Sequence, residues 1–266
     1  MGRGSRPIRH NPGTTMAAKR INWFYYAAPP RFYVLAGRCI PWFAAAALLL
    51  AAVGLVIGLG LAPTDFQQGD SYRIIYIHVP VSWMSMVLYL AMAFWAAIGM
   101  IFNARLAYML AQAIAPTGAL MAFLSLWTGA LWGKPTWGTW WVWDARLTSE
   151  LILLFLYIGF LSLRAAIDDE RRADRASGLL AIVGAVNVPI IYYSVKWWNT
   201  LHQGASVSVT QGSSMAEIML RAMLIMSLAL WAYCFAVVFA RVRTIILERE
   251  RGAAWTREHL PRAQWA

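Results

Sequence analysis

Histidine is scarce in this chain and placed where it can do chemistry. Of four, His10 and His259 lie in the terminal segments, while His78 falls in Tyr76-Ile77-His78-Val79-Pro80 and His202 in Trp197-Trp198-Asn199-Thr200-Leu201-His202-Gln203-Gly204. Neither has a metal-ligand neighbour at short spacing, so each alone reads more simply as an interfacial histidine than as a ligand. The two cysteines, Cys39 and Cys234, give no metal spacing, no CxxC and no disulfide framework. Between the histidines runs Trp132-Gly133-Lys134-Pro135-Thr136-Trp137-Gly138-Thr139-Trp140-Trp141-Val142-Trp143-Asp144-Ala145-Arg146-Leu147-Thr148, which holds five of the 15 tryptophans. A membrane-interface belt accounts for one or two of them, not five. Flat indoles with N–H groups at their rim make a broad apolar face suited to a large planar ligand.

What positions these residues follows from composition. Sixty percent of the 266 residues are apolar and 13% charged, which excludes an ordinary soluble fold. Six stretches are long enough to span a bilayer, or nearly so: Pro41–Ala62, Val81–Phe102, Leu110–Leu131, Leu151–Leu163 with its flanks, Leu179–Val195 and Ile218–Ala240. The first is longer than a signal-peptide core and reads as a retained span. The expected fold is an all-α polytopic membrane protein with six transmembrane helices, both termini cytoplasmic, and an external tryptophan-rich loop between helices 3 and 4.

Orientation rests on charge. With both ends inside, residues 1–39, 103–109, 164–177 and 241–266 carry 18 of the 23 Lys and Arg, leaving Arg73, Lys134, Arg146, Lys196 and Arg221 elsewhere. The net charge of +11 is thereby explained without nucleic acid. The organisation is a basic N-terminal segment (1–39) with an aromatic stretch suited to lipid, a membrane domain (40–240) with external segments 63–80, 132–149 and 196–217, and a tail (241–266). Asp168–Arg175, of mixed sign, reads as a solvated connector, and Glu150 and Glu217 sit at helix entrances, where a carboxylate suits the dipole.

His78 and His202 therefore fall on one face of the membrane. Two neutral imidazoles there are what a six-coordinate haem iron requires, and the tryptophan segment suits a porphyrin. The lack of CxxCH excludes covalent attachment through paired thioethers. Lys134, Arg146, Arg73 or Lys196 are candidates to meet the haem carboxylates, Arg146 foremost, against ordinary interface snorkelling. Asp144 orients a ligand or, more simply, pairs with Arg146. Gly129 to Thr136 is no phosphate loop: three residues separate its glycines and Pro135 follows the lysine. A b-type electron carrier, a haem transporter and a complete cytochrome c synthase stay open at this point.

On the run from Trp137 to Thr148, ending Arg146-Leu147-Thr148, the sequence resembles the haem-handling proteins that share a Trp-Trp-Asp domain, and among them the haem exporter protein C (CcmC) family, over residues 20–245. That resemblance implies His78 and His202 as axial ligands of a non-covalently and transiently held haem b, with Trp137, Trp140, Trp141 and Trp143 as the haem-facing surface. It further implies a bacterial inner-membrane location, delivery to the periplasmic haem chaperone CcmE, and association with the ABC-type proteins CcmA and CcmB and the small membrane protein CcmD. ATP use would then reside in another subunit, and the chain would be no enzyme.

Overall fold

The computed structural model describes residues 23–198 and 215–258, and among these the secondary structure is helical apart from one isolated bridge, Asp65 to Gly69. Seven α-helices make six spans: α1 (Pro29–Leu55), α2 (Ile75–Phe102), α3 (Arg105–Trp137), α4 (Ala145–Ala166), α5 (Glu170–Gly184), α6 (Asn187–Trp197) and α7 (Glu217–Arg249). All six are long and apolar enough to cross a bilayer, so the chain is a multi-pass membrane protein. The count agrees with the sequence reading, but two details differ.

The fifth span is not one helix. It breaks between α5 and α6, where Pro189 lacks the N–H that would bond one turn back and Asn187 donates instead across the bundle to the Ser149 carbonyl, 2.8 Å. Helical structure also outlasts the hydrophobic runs. A 3₁₀ turn at Asp70–Ile74 leads into α2, which places His78 within the helix rather than before it, and α3 continues through Pro135 to Trp137. The interhelical tryptophan loop is thus only 138–144, closed by Gly138 at φ 78°, a left-handed cap that a side chain would strain.

Two antiparallel pairs dominate the packing, α1 with α7 and α2 with α3. Without a hydrophobic drive in lipid, helices associate through close fit and internal hydrogen bonds, which favours small residues at contacts. Gly99 admits the Tyr108 ring and Gly118 the Tyr157 ring; an added Cβ would lie 2.9 Å and 2.2 Å from them. At the centre Tyr89 and Tyr157 meet edge to face at 4.9 Å, among Met92, Met121, Leu153 and Ile191.

The two ends of the bundle differ in chemistry. One carries the α1–α2, α3–α4 and α6–α7 connections and the tryptophan-rich loop; the other carries an ion-pair cluster in which Asp174 is shared by Arg164 and Arg249, with Glu170 bridging the same two arginines and Arg105 on Glu250. The solvated connector expected at 168–175 is therefore partly a structural clamp, because Asp174 is buried between α4, α5 and α7.

Candidate functional site

His78 sits on the fourth residue of α2 and is locked against α3. Its Nδ1 lies 2.9 Å from Thr128 Oγ1, its ring meets Trp132 edge to face at 5.6 Å, and Gly129 lets α3 approach so closely that a Cβ there would stand 3.1 Å from His78 Cε1. The Thr128 hydroxyl donates to the Leu124 carbonyl at 2.6 Å. With its proton directed there, Oγ1 is placed to accept from His78, the arrangement in which Nδ1 would carry the ring hydrogen and Nε2 the lone pair. This is the arrangement by which an outer partner fixes the tautomer and aim of a metal-ligating histidine.

Beneath the histidine lies a polar ladder inside the membrane domain. Ser82 donates to the His78 carbonyl and bonds Ser125 at 2.6 Å, Ser85 donates to Glu150 at 2.7 Å, and Tyr157 donates to the Ser85 carbonyl at 2.8 Å. Glu150 is buried in the second turn of α4 and accepts from Ser85, so it lies past the helix entrance where the sequence reading put it. Glu217 does sit there, on the first turn of α7, paired with Arg221.

The structure brings His78 and Arg146 together: both line a cavity of about 20 Å³ with Ser82, Ser125, Gly129 and Glu150. That volume is water-sized, so no porphyrin enters it. Arg146 donates to the Ile191 carbonyl of α6 at 2.9 Å, with Asp144 and Glu150 within electrostatic reach, and so faces the bundle rather than the rim. Asp144 caps α4 by accepting from Leu147 N at 2.8 Å. Of the other cations named as carboxylate partners, Lys134 donates to Gly138 O, Arg73 to Asp70 and the Gly58 carbonyl, and Lys196 lies over the Tyr193 ring.

The tryptophans divide. Trp137 ends α3 and folds back on Gly133; Trp140 and Trp143, 55% and 77% exposed, stand out from the loop. Trp141 is half-buried beside Trp143 at 5.3 Å, its Nε1 enclosed and without an acceptor among the described residues. At the same end, Trp197 stacks on Tyr193 and meets Trp198. His202 lies outside the described residues, as do His10 and His259; the stretch holding His202 begins and ends at this same end of the bundle, after Trp198 and before Met215.

Thr128 and Gln68 carry no mark in the sequence, and Trp132 and Glu150 stand out there only as part of the tryptophan segment and as a helix-entrance acid. Trp132 Nε1 donates to Gln68 Oε1 at 2.7 Å, which ties the first connection to α3 beside the histidine. A signal for them exists in register: His78, Ser82 and Ser85 fall on one face of α2, and Ser125, Thr128, Gly129 and Trp132 on one face of α3, so two small polar stripes face each other.

A family model described as "Heme exporter protein C" matches residues 22–257, nearly the whole described span. The chain belongs to the haem exporter protein C family. It is 48% identical over 232 residues to the heme exporter protein C of Escherichia coli K12, covering 87% of this chain and 94% of that one. Identity to the Haemophilus influenzae heme exporter protein C is 44% over 236 residues, 88% and 96% of the two chains. A putative cytochrome c biosynthesis ccmC-like mitochondrial protein of Marchantia polymorpha is 46% identical over 175 residues, 66% and 71%. Membership gives the chain a role in haem handling for cytochrome c maturation, as a haem-delivery component of a system with further Ccm proteins.

Proposed function

We propose that this membrane protein binds haem b non-covalently at the periplasmic face of the bacterial inner membrane and delivers it to the chaperone CcmE, working with CcmA, CcmB and CcmD. The reading is carried by one observation: the Thr128 hydroxyl is committed to Leu124, so it holds His78 in the tautomer whose Nε2 can donate to iron. His78 then supplies one axial ligand and His202 the other, with Trp137, Trp140, Trp141 and Trp143 as the haem-facing surface. The periplasmic assignment rests on the excess of Lys and Arg in the opposite segments.

Haem is cargo in this reading. No bond to carbon is made, and what the chain supplies is hold and release: two imidazoles that a competing ligand can displace in turn, and exposed indoles that leave part of the ligand open to a partner.

Thr128→Val keeps the shape of the side chain but removes the acceptor for Nδ1–H. Haem affinity of the purified protein, titrated by visible absorbance, is expected to fall 10- to 100-fold, as for lost outer-shell partners of metal ligands, and Thr128→Ser to restore it. Unchanged affinity in the valine variant would remove Thr128 from the site. Trimming Trp140 or Trp143 to Ala is expected to cost about 2 kcal/mol of haem affinity each, roughly thirtyfold, with the axial ligation spectrum retained. Wild-type affinity in the double variant would dismiss the loop as a haem surface.

A further inference from the structure

The other end of the bundle holds a second site. A cavity of about 520 Å³ opens among α3, α4 and α7, lined on its apolar side by Ala113, Pro116, Leu161, Ala165 and Ile245 and on its polar side by Gln112, Arg164, Glu170, Arg241 and Thr244. Its charges do not cancel. The Arg164 terminal nitrogens are taken by Asp174 and Glu170, and Arg249 pairs with the same two carboxylates, so two acids balance two arginines. Arg241 has no carboxylate among the described residues and adds a net positive charge to the wall.

A further group favours an anion. Gln112 Oε1 accepts from Arg249 at 2.7 Å, which leaves its amide N–H groups as the atoms that can serve a ligand. The acid on the wall, Glu170, is already shared between two arginines. Donors thus meet one polar mouth, and a wall of aliphatic side chains runs beside it.

We propose that this cavity binds the phosphate headgroup of an anionic phospholipid, with Arg241 and the Gln112 amide as donors and the α3–α4–α7 aliphatic wall against the acyl chain. Guanidinium is suited to phosphate oxygens, and basic pockets at the ends of transmembrane helices take anionic headgroups. The lipid ties α4 and α7 together at the end remote from His78, and the assignment stands independently of the haem reading.

The test is native mass spectrometry of the purified full-length chain, delipidated and resupplied with phosphatidylglycerol or phosphatidylcholine of the same acyl composition. One phosphatidylglycerol is expected to be retained at least about tenfold better than phosphatidylcholine, and Arg241→Gln to reduce that retention about tenfold, the loss of one charge-assisted contact. Arg241 is exposed and outside the ion-pair cluster, so its variant folds. Leu161→Trp, which fills the cavity from its apolar wall, is expected to lose the lipid as well, whereas Arg221→Gln at the opposite end keeps it. Equal retention of both lipids, no effect of Arg241→Gln, or an equal loss in Arg221→Gln would overturn the site. Displacement of the lipid by millimolar inorganic phosphate would show a free-phosphate site and overturn the lipid assignment.

Discussion

Replacing His78 by Ala is expected to reduce cytochrome c maturation to background in cells that depend on this chain for haem delivery, with membrane levels of the protein near wild type. The argument starts from packing. His78 is partly buried, and its removal from the start of α2 leaves the α2–α3 contact supported by Ser82–Ser125 and the preceding connection tied to α3 by Trp132–Gln68, neither of which passes through the imidazole. The fold therefore survives while the nitrogen whose tautomer Thr128 fixes is lost. His202→Ala is expected to match it, and His10→Ala and His259→Ala to leave maturation unchanged. Maturation yield against protein level, read from haem-stained gels and immunoblots, checks all four; equal effects at every position would falsify the placement of the ligands.

Gly118→Leu is expected to be the most damaging single substitution in the core. A Cβ at this position would lie 2.2 Å from the Tyr157 ring, and Tyr157 has little room to retreat because it is fully buried against Tyr89. Forcing extra atoms into such a contact costs about 1–3 kcal/mol, and more where the neighbour cannot move. The strain would also pull the Tyr157 hydroxyl from the Ser85 carbonyl and disturb the Ser85–Glu150 bond beneath His78. Thermal unfolding in detergent should show a marked loss of stability, and haem binding should weaken with it. Gly118→Ala is expected to do the same in smaller measure, and a stable Gly118→Leu variant would mean that α3 and α4 can separate without cost.

The spans are legible because a bilayer demands about twenty apolar residues whatever they pack against, and four of the six runs meet that length outright while the fourth and fifth reach it only with their helical flanks. The break between α5 and α6 is not: Pro189 and Asn187 interrupt hydrogen bonding yet leave the average hydropathy as high as a span requires, so a hydropathy window is blind to it. Helix ends were misread for the converse reason. Hydropathy stops at the lipid boundary, whereas backbone bonding carries α2 back to Ile75 and α3 on to Trp137.

In the site, His78 stood out by scarcity and the tryptophans by number, and the family resemblance of the Trp137–Thr148 run is met by the family match over residues 22–257. Thr128, Ser85 and Glu150 carry no such mark. A threonine, a serine and a glutamate in helices are common, and only the meeting of the α2 and α3 faces makes them a support for one imidazole. Arg146 shows the limit from the other side. The sequence favoured it as a haem-carboxylate donor, yet the fold turns its guanidinium toward the Ile191 carbonyl and Glu150, because the first turn of α4 packs on α6.

The measurement that bears most directly on the central claim is the visible absorption spectrum of the purified protein co-produced with the proposed chaperone CcmE, for wild type, His78→Ala and His202→Ala. Two imidazoles on one iron predict a six-coordinate low-spin spectrum in the wild type, lost or converted to five-coordinate in each variant. A wild-type spectrum retained in either variant, or a haem-free wild type under active haem supply, would contradict haem ligation by this histidine pair.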